Sequence, residues 1–359
     1  MMERLQQLRT KLEERGLPAI LLTAPASRRY ISGFTGSAGA LLISAEAAFL
    51  LTDGRYTVRA AVEAPAFALR EVRAATKPLP KLVAELAAEL GLVRLGFEAA
   101  AMTVAEYQQF AKALGEAVEL VATENVVEEL RVVKDAQEIA LLRRAAAITD
   151  AALAAVLPVL SPEMTEREAA WRIEVALHDF GADGPSFPII VAAGRNSARP
   201  HHEPGHEVLG EGRPIIIDMG ARLDGYHADL TRTIVLGQPD DTFRVVYAAT
   251  LAAQQAAINA LRPGLPWAEA DAIARRVIEE AGYAHGIAHS LGHGVGLAIH
   301  EAPWLRISAP DAPPSPPLRA GMVTSVEPGI YLPEWGGVRI EDLALITDDG
   351  CEVLSQAPR

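Results

Sequence analysis

Four acidic residues occupy two strand–turn–strand patterns, Asp218 with Asp229 and Glu327 with Glu341, and the glycine-flanked His293 lies between the pairs. In IIIDMGARLDGYHADLTRTIV (215–235), two β-rich runs flank Leu-Asp-Gly, the signature of an antiparallel hairpin. A turn about Leu223 and Asp224 makes Asp218 and Asp229 direct cross-strand neighbours, with Cβ atoms about 4.5–5.5 Å apart. Two carboxylates so placed repel unless one is protonated or a cation lies between them. The segment 323–347 repeats the arrangement, with Glu327 and Glu341 on apolar strands joined through Pro333 to Gly337. Together with an imidazole, these acids form a hard, oxygen-rich site with room for two divalent ions.

Histidines reinforce that reading. All nine fall between His178 and His300, so imidazole chemistry belongs to the second half of the chain. AHSLGHGVGLAIHE (288–301) carries His289, His293 and His300, which reads as one ligand plus groups that handle substrate. Gly292, Gly294 and Gly296 clear one face, so that a ligand or metal can approach the backbone. No strand–glycine–helix context supports a phosphate-binding fingerprint there. In NSARPHHEPGHEV (196–208), Pro200 favours an extended loop; His201 is expected to face a pocket, and His202 and His206 to lie on the surface. His227 shares a strand face with Asp229, as a neighbour of the site or as a solvated side chain.

The elements that must position these groups divide the chain in two. Short strands at 18–23, 40–44, 48–52 and 94–98 alternate with helices near 78–90 and 103–114, the pattern of a small α/β domain. The charged stretch 126–138 leads into a long Ala-rich helix with an apolar stripe from Ile139 to Leu157, ended by Pro158. A boundary within about 124–134 gives domains 1–127 and 128–359. The second is α+β: a helix near 164–180, the strand region 187–194, the aspartate hairpin, helices near 241–260 and 266–281, then the histidine and glutamate segments. Pro310, Pro313, Pro314, Pro316 and Pro317 make 309–318 an irregular surface loop.

Composition narrows the function classes. With 359 residues, half of them hydrophobic, the chain can bury two cores. No apolar run approaches the roughly 20 residues that span a bilayer. A net charge of −13 without a Lys/Arg cluster argues against nucleic acid as a partner. The single cysteine, Cys351, excludes an internal disulfide framework and fits a reducing compartment, so a cytoplasmic location is expected.

The runs DMGARLDGYHADLTRT (218–233), HSLGHGVGLAIHE (289–301), SVEPGIY (325–331) and GVRIED (337–342) resemble those of the Xaa-Pro peptidases, aminopeptidase P and prolidase, among the methionine-aminopeptidase-like pita-bread metallopeptidases. YISGFTGSAGALLIS (30–44) and LLTDGRY (50–56) resemble the creatinase/prolidase N-terminal domain. The resemblance implies a pita-bread catalytic domain behind a creatinase-type α/β domain, a homodimer, and five metal ligands: Asp218, Asp229, His293, Glu327 and Glu341. Asp229 and Glu341 would bridge two ions, Asp218 would complete one, and His293 with Glu327 the other. Mn²⁺ suits this set best, with Co²⁺ or Zn²⁺ as alternatives.

The same likeness implies a general-base and then general-acid role for Glu327, oxyanion stabilisation by His300, a proline-ring pocket shaped by His201 and His289, and an arginine, Arg339, beside the site. The expected substrate is a peptide with proline at its second position. A dipeptidase needs a cation for the substrate's free carboxylate. Trp304 stands where prolidases of this type place an arginine, with Arg306 two residues on, which favours an Xaa-Pro aminopeptidase over an Xaa-Pro dipeptidase. Creatinase and a non-enzymatic pita-bread binding protein are the other readings. The complete set of acids argues against both.

Overall fold

The computed structural model describes residues 2–309 and 311–359, and Met1 and Pro310 lie outside the described residues. The chain forms two compact units that part between Arg131 and Val132. This division falls later than residue 127 because the stretch before it is tied to the first unit. Arg15 donates to the Glu124 carbonyl and to Glu129 Oε1, and Tyr30 Oη donates to the Leu130 carbonyl.

The first unit is built on a six-stranded sheet in the order Ala68–Val72, Ala48–Asp53, Ala40–Ser44, Ala19–Leu22, Arg94–Glu98, Glu119–Thr123. The four inner strands are the apolar runs read from the sequence. Both edge strands escaped that reading, because Arg70, Glu71 and Glu119 interrupt their apolar pattern, as suits a half-exposed edge. Helices Leu79–Glu89 and Val104–Leu114 cover the sheet through Leu82, Leu86 and Phe110, and Thr103 and Glu106 close the second helix with a reciprocal capping box.

In the second unit two helix pairs each pack against a sheet. Helices Ala136–Val156 and Glu166–Asp179 bury Leu153, Ile173 and Leu177 against Ile215, Ile217 and Leu230 of the sheet Leu230–Ile234, Ile215–Met219, Ile190–Ala193. Asp135 and Thr165 cap these two helices, and a 3₁₀ turn containing Pro158 follows the first. Helices Asp241–Ala260 and Trp267–Glu280 bury Val246, Ala253 and Ile278 against Val326, Ala344 and Ile346, which belong to or adjoin the five-stranded sheet ending in Cys351–Val353. Among the described residues no helix is long and apolar enough to cross a membrane.

The aspartate hairpin departs from its expected register. Its turn is Asp224–Gly225, both at positive φ (+47° and +71°), so Leu223 pairs with Tyr226 and Asp218 with Thr231 rather than with Asp229. Positive φ at both central positions is what a two-residue hairpin loop of matching twist requires, and Asp-Gly meets it where Leu-Asp cannot. Asp229 thereby faces Gly220, where an added Cβ would sit 1.9 Å from the Ala228 carbonyl oxygen. In the glutamate hairpin the pairs Val326–Asp342 and Gly329–Arg339 set one register on both sides of a break at Glu327 and Pro328, which places Glu327 opposite Glu341.

Candidate active site

Three acids converge. Carboxylate oxygens of Asp218, Asp229 and Glu341 lie within 4.8 Å of one another, and all three residues are buried. His293 extends the group, its Nε2 3.6 Å from Asp229 Oδ2 and 3.3 Å from Glu327 Oε1. Asp229 thus belongs to two clusters, one completed by Asp218 and Glu341, the other by His293 and Glu327. Local structure explains the aim of these side chains. Asp229, Glu327 and Glu341 each sit in a short gap between successive strands, where the ladder is broken and the carboxylate can leave the sheet.

Burial pushes the Asp229 carboxyl well above the usual carboxylate range, and Asp218 beside it adds to the rise; burial and then Asp229 do the same to Glu341. Asp218 is raised by burial in spite of Arg339. For Glu327 burial is outweighed by the hydrogen bond and charge of His293, which hold it at about 2; His293 itself, despite burial, is pushed up to about 9 by Glu327. Asp218 Oδ1 and Glu341 Oε1 are buried without a hydrogen-bond partner. Such atoms are costly unless something else satisfies them. His293 Nδ1 lies 3.1 Å from the Gly294 carbonyl, which accepts its proton and leaves Nε2, the nitrogen facing the acids, as the one that would give up its proton to a cation. Partnerless carboxylate oxygens, mutual repulsion and an imidazole held with Nε2 toward them fit a pair of hard divalent cations.

A hydrogen-bonded web backs the acids. Arg339, 3% exposed, donates through Nη2 to Asp218 Oδ2 (2.6 Å), through Nη1 to Tyr331 Oη (2.8 Å) and through Nε to Thr231 Oγ1 (3.0 Å), whose hydroxyl donates to Glu341 Oε2 (2.7 Å). His289 Nδ1 meets the Ser290 carbonyl at 2.8 Å, so its Nε2 accepts from Tyr331 Oη at 2.7 Å. Both ring nitrogens are engaged within the protein, which leaves His289 only ring carbons to offer a substrate. Burial holds Tyr331 in its neutral form, its pKa pushed up to about 12. Tyr331 and Thr231 were not singled out from the sequence, although both lie in the quoted motifs. For Tyr331 the signal is a polar group inside an otherwise apolar strand, whereas Thr231, between Leu230 and Arg232, carries no such mark.

These groups open on a cavity of about 510 Å³ that also reaches His201, His300, Trp304 and Phe187. His300 meets His293 edge-on at 4.3 Å between ring centres, and burial followed by the charge of His293 lowers its pKa, so the ring is neutral near pH 7 with one N–H to donate. His201 is exposed at the cavity, and Arg306 lies with its guanidinium 5.9 Å from the ring centre of Trp304. His206 is exposed and His227 pairs with Arg222 across a short ladder.

Two expectations need correction. His202 is not a surface side chain: it is 10% exposed, and its Nε2 lies 2.8 Å from Glu166 Oε2, a contact across 36 residues that no local pattern announces. The alternating glycines do not clear a path for a ligand. Gly292 packs on the Ser325 carbonyl, Gly294 on the Ala302 carbonyl and Gly296 on the Glu301 carboxylate, each closer than a Cβ would permit.

The model of metallopeptidase family M24 matches residues 140–348, and that of the creatinase/prolidase N-terminal domain matches residues 4–133. An Xaa-Pro dipeptidase of Pyrococcus horikoshii is 34% identical over 360 residues, covering 100% of this chain and 98% of its own. A solved Xaa-Pro dipeptidase from Bacillus anthracis superposes with a TM-score of 0.95 at 39% identity, over 100% of this chain and 98% of that one. An X-Pro aminopeptidase from Thermotoga maritima reaches 0.90 at 34% identity, over 99% and 98%.

Proposed function

The chain belongs to metallopeptidase family M24, with a creatinase/prolidase N-terminal domain ahead of a pita-bread catalytic domain, and from that membership we propose that it hydrolyses the Xaa-Pro bond of dipeptides. The carrying observation is the buried acid cluster with two partnerless oxygens, a site that makes physical sense around divalent cations. Asp218, Asp229, His293, Glu327 and Glu341 would hold two such ions, Mn²⁺ by preference for an oxygen-rich set with one imidazole. Bound there, they supply acidified water as a nucleophile near neutral pH and polarisation of the scissile carbonyl.

The chain's own residues do the rest. Glu327, ionised beside His293, accepts a proton and delivers it to the departing prolyl nitrogen. A tertiary amide offers no N–H, so recognition of the bond rests on the ring and the carbonyl. His300, neutral and exposed at the cavity, donates its N–H to the carbonyl oxygen as negative charge develops there. The ring carbons of His289, together with His201 on the same cavity, form the wall against which a proline ring packs.

Preference for dipeptides reverses the lean taken from Trp304. Two full-length relatives carry the name Xaa-Pro dipeptidase, against one named X-Pro aminopeptidase. Arg306 does not line the cavity, but its guanidinium lies 5.9 Å from the ring centre of Trp304, which does, and it is the cation we assign to a free carboxylate. Arg306→Ala is therefore expected to lower kcat/KM for Xaa-Pro dipeptides by about 10- to 100-fold, the scale of one charge-assisted hydrogen bond, and to leave Xaa-Pro-Xaa tripeptides within about twofold. Parallel assays of both substrates on metal-stripped protein, resupplied with Mn²⁺, Co²⁺ or Zn²⁺ in turn, test the whole reading. Hydrolysis of neither under any metal would sink it, and faster tripeptide cleavage would restore the aminopeptidase.

A further inference from the structure

Glu166 opens the helix Glu166–Asp179, a position where acidic side chains ordinarily lie in solvent near the positive end of the helix dipole. Here the residue is 0% exposed and receives four hydrogen bonds. Its Oε1 accepts from the Ala193 amide and Asn196 Nδ2, both at 2.9 Å; its Oε2 accepts from the Gly205 amide at 3.0 Å and His202 Nε2 at 2.8 Å. Four donors saturate an ionised carboxylate, and only an acceptor without protons can take them all. Burial alone would push this carboxyl up, yet the hydrogen bonds keep it below its ordinary value.

All four donors come from residues 193–205. Beyond Ala193, the end of the strand Ile190–Ala193, that stretch holds one short 3₁₀ turn, Gly194–Ala198, and is otherwise irregular, yet it carries Pro200 and His201 to the cavity wall. The Pro200 carbonyl also accepts from Arg339 Nη1 at 3.3 Å, so the placement of the loop is shared with the residue that holds Asp218.

We propose that Glu166 is a positioning residue: its buried carboxylate clamps both ends of the 193–205 loop and so sets where His201 stands at the substrate cavity. The consequence for catalysis rests on the Xaa-Pro reading, whereas the clamp itself can be measured without substrate. Glu166→Gln replaces one acceptor oxygen by an NH₂ group that must face two N–H donors. In full-length Mn²⁺-loaded protein, backbone hydrogen exchange over 194–206 should speed up by about tenfold or more, the scale of one or two lost buried hydrogen bonds.

Metal content per chain should stay at the wild-type level, and kcat/KM for an Xaa-Pro dipeptide should fall about 10- to 100-fold, mainly through KM, because the pocket and not the ligand set is disturbed. His202→Leu removes a single donor and should move exchange in the same direction, and His202→Gln, which keeps a donor, should move it less. Unchanged exchange over 194–206, equal acceleration over 215–235 and 323–347, or loss of metal in step with activity would each overturn the clamp. If Glu166→Gln proves insoluble, the two His202 variants decide, and identical exchange in both rejects the idea. A wild type inert toward every Xaa-Pro substrate would reject the functional reading, while exchange over the loop would still judge the clamp.

Discussion

Asp229→Asn is expected to be more stable than the wild type when stripped of metal and nearly inactive when metal is supplied. Asp229 is 5% exposed, with oxygens of Asp218 and Glu341 within 4.8 Å, and burial together with Asp218 drives its carboxyl well above the usual range. Folding the stripped chain therefore confines a charge beside like charges or takes up a proton to avoid doing so. An amide of the same shape removes that cost, for a gain of about 1–3 kcal/mol. The gain narrows as pH falls, because a carboxyl whose folded pKa lies above its unfolded value destabilises only above the unfolded pKa.

Added cation reverses the order. The wild type gains about 4 kcal/mol at a thousandfold excess over Kd, whereas a variant lacking the residue shared by both clusters gains little. Its kcat/KM should drop by more than about 10³-fold, since the chemistry needs the cations in place. Thermal scans of stripped and Mn²⁺-loaded protein across pH check every part. A stripped variant that melts below the stripped wild type would mean that Asp229 is held by favourable contacts, and the electrostatic argument for a cation site would fail with it.

Arg339→Met should carry the largest loss of stability. The guanidinium is 3% exposed and bonds at once to Asp218, Tyr331 and Thr231. Without it, Asp218 becomes an unpaired buried carboxylate, and the loss of one partner from such a pair costs about 3–5 kcal/mol. Mn²⁺ should restore part of the melting temperature, because a cation beside Asp218 replaces some of the missing charge. Arg339→Lys should recover less than charge alone suggests, since an ammonium lacks the planar fork that reaches four partners. Stability equal to wild type in the methionine variant, read by thermal melting without added metal, would show that the web is incidental.

Much of this centre was legible because its parts obey local rules. The hairpin turn was misplaced by one residue, yet an error of that kind moves cross-strand partners by two, and side chains two apart share a face. Asp218 and Asp229 thus remained on the same side of the sheet although they do not oppose one another. The edge strands Ala68–Val72 and Glu119–Thr123 were not legible, since an edge needs little apolar pattern. The lean taken from Trp304 rested on a spacing along the chain, which says nothing of where the Arg306 guanidinium stands relative to the indole.

The residue types and their spacing alone determined that this chain gathers four carboxylates and an imidazole in an α+β domain behind a smaller α/β one, because turn chemistry and strand periodicity act over a few residues. Only the tertiary structure decided which groups hold that site in shape. Thr231 with Glu341, Arg339 with Asp218 and Glu166 with His202 meet across 110, 121 and 36 residues. A buried polar atom takes whichever partner the packing of distant strands and loops presents, and no local periodicity records that choice.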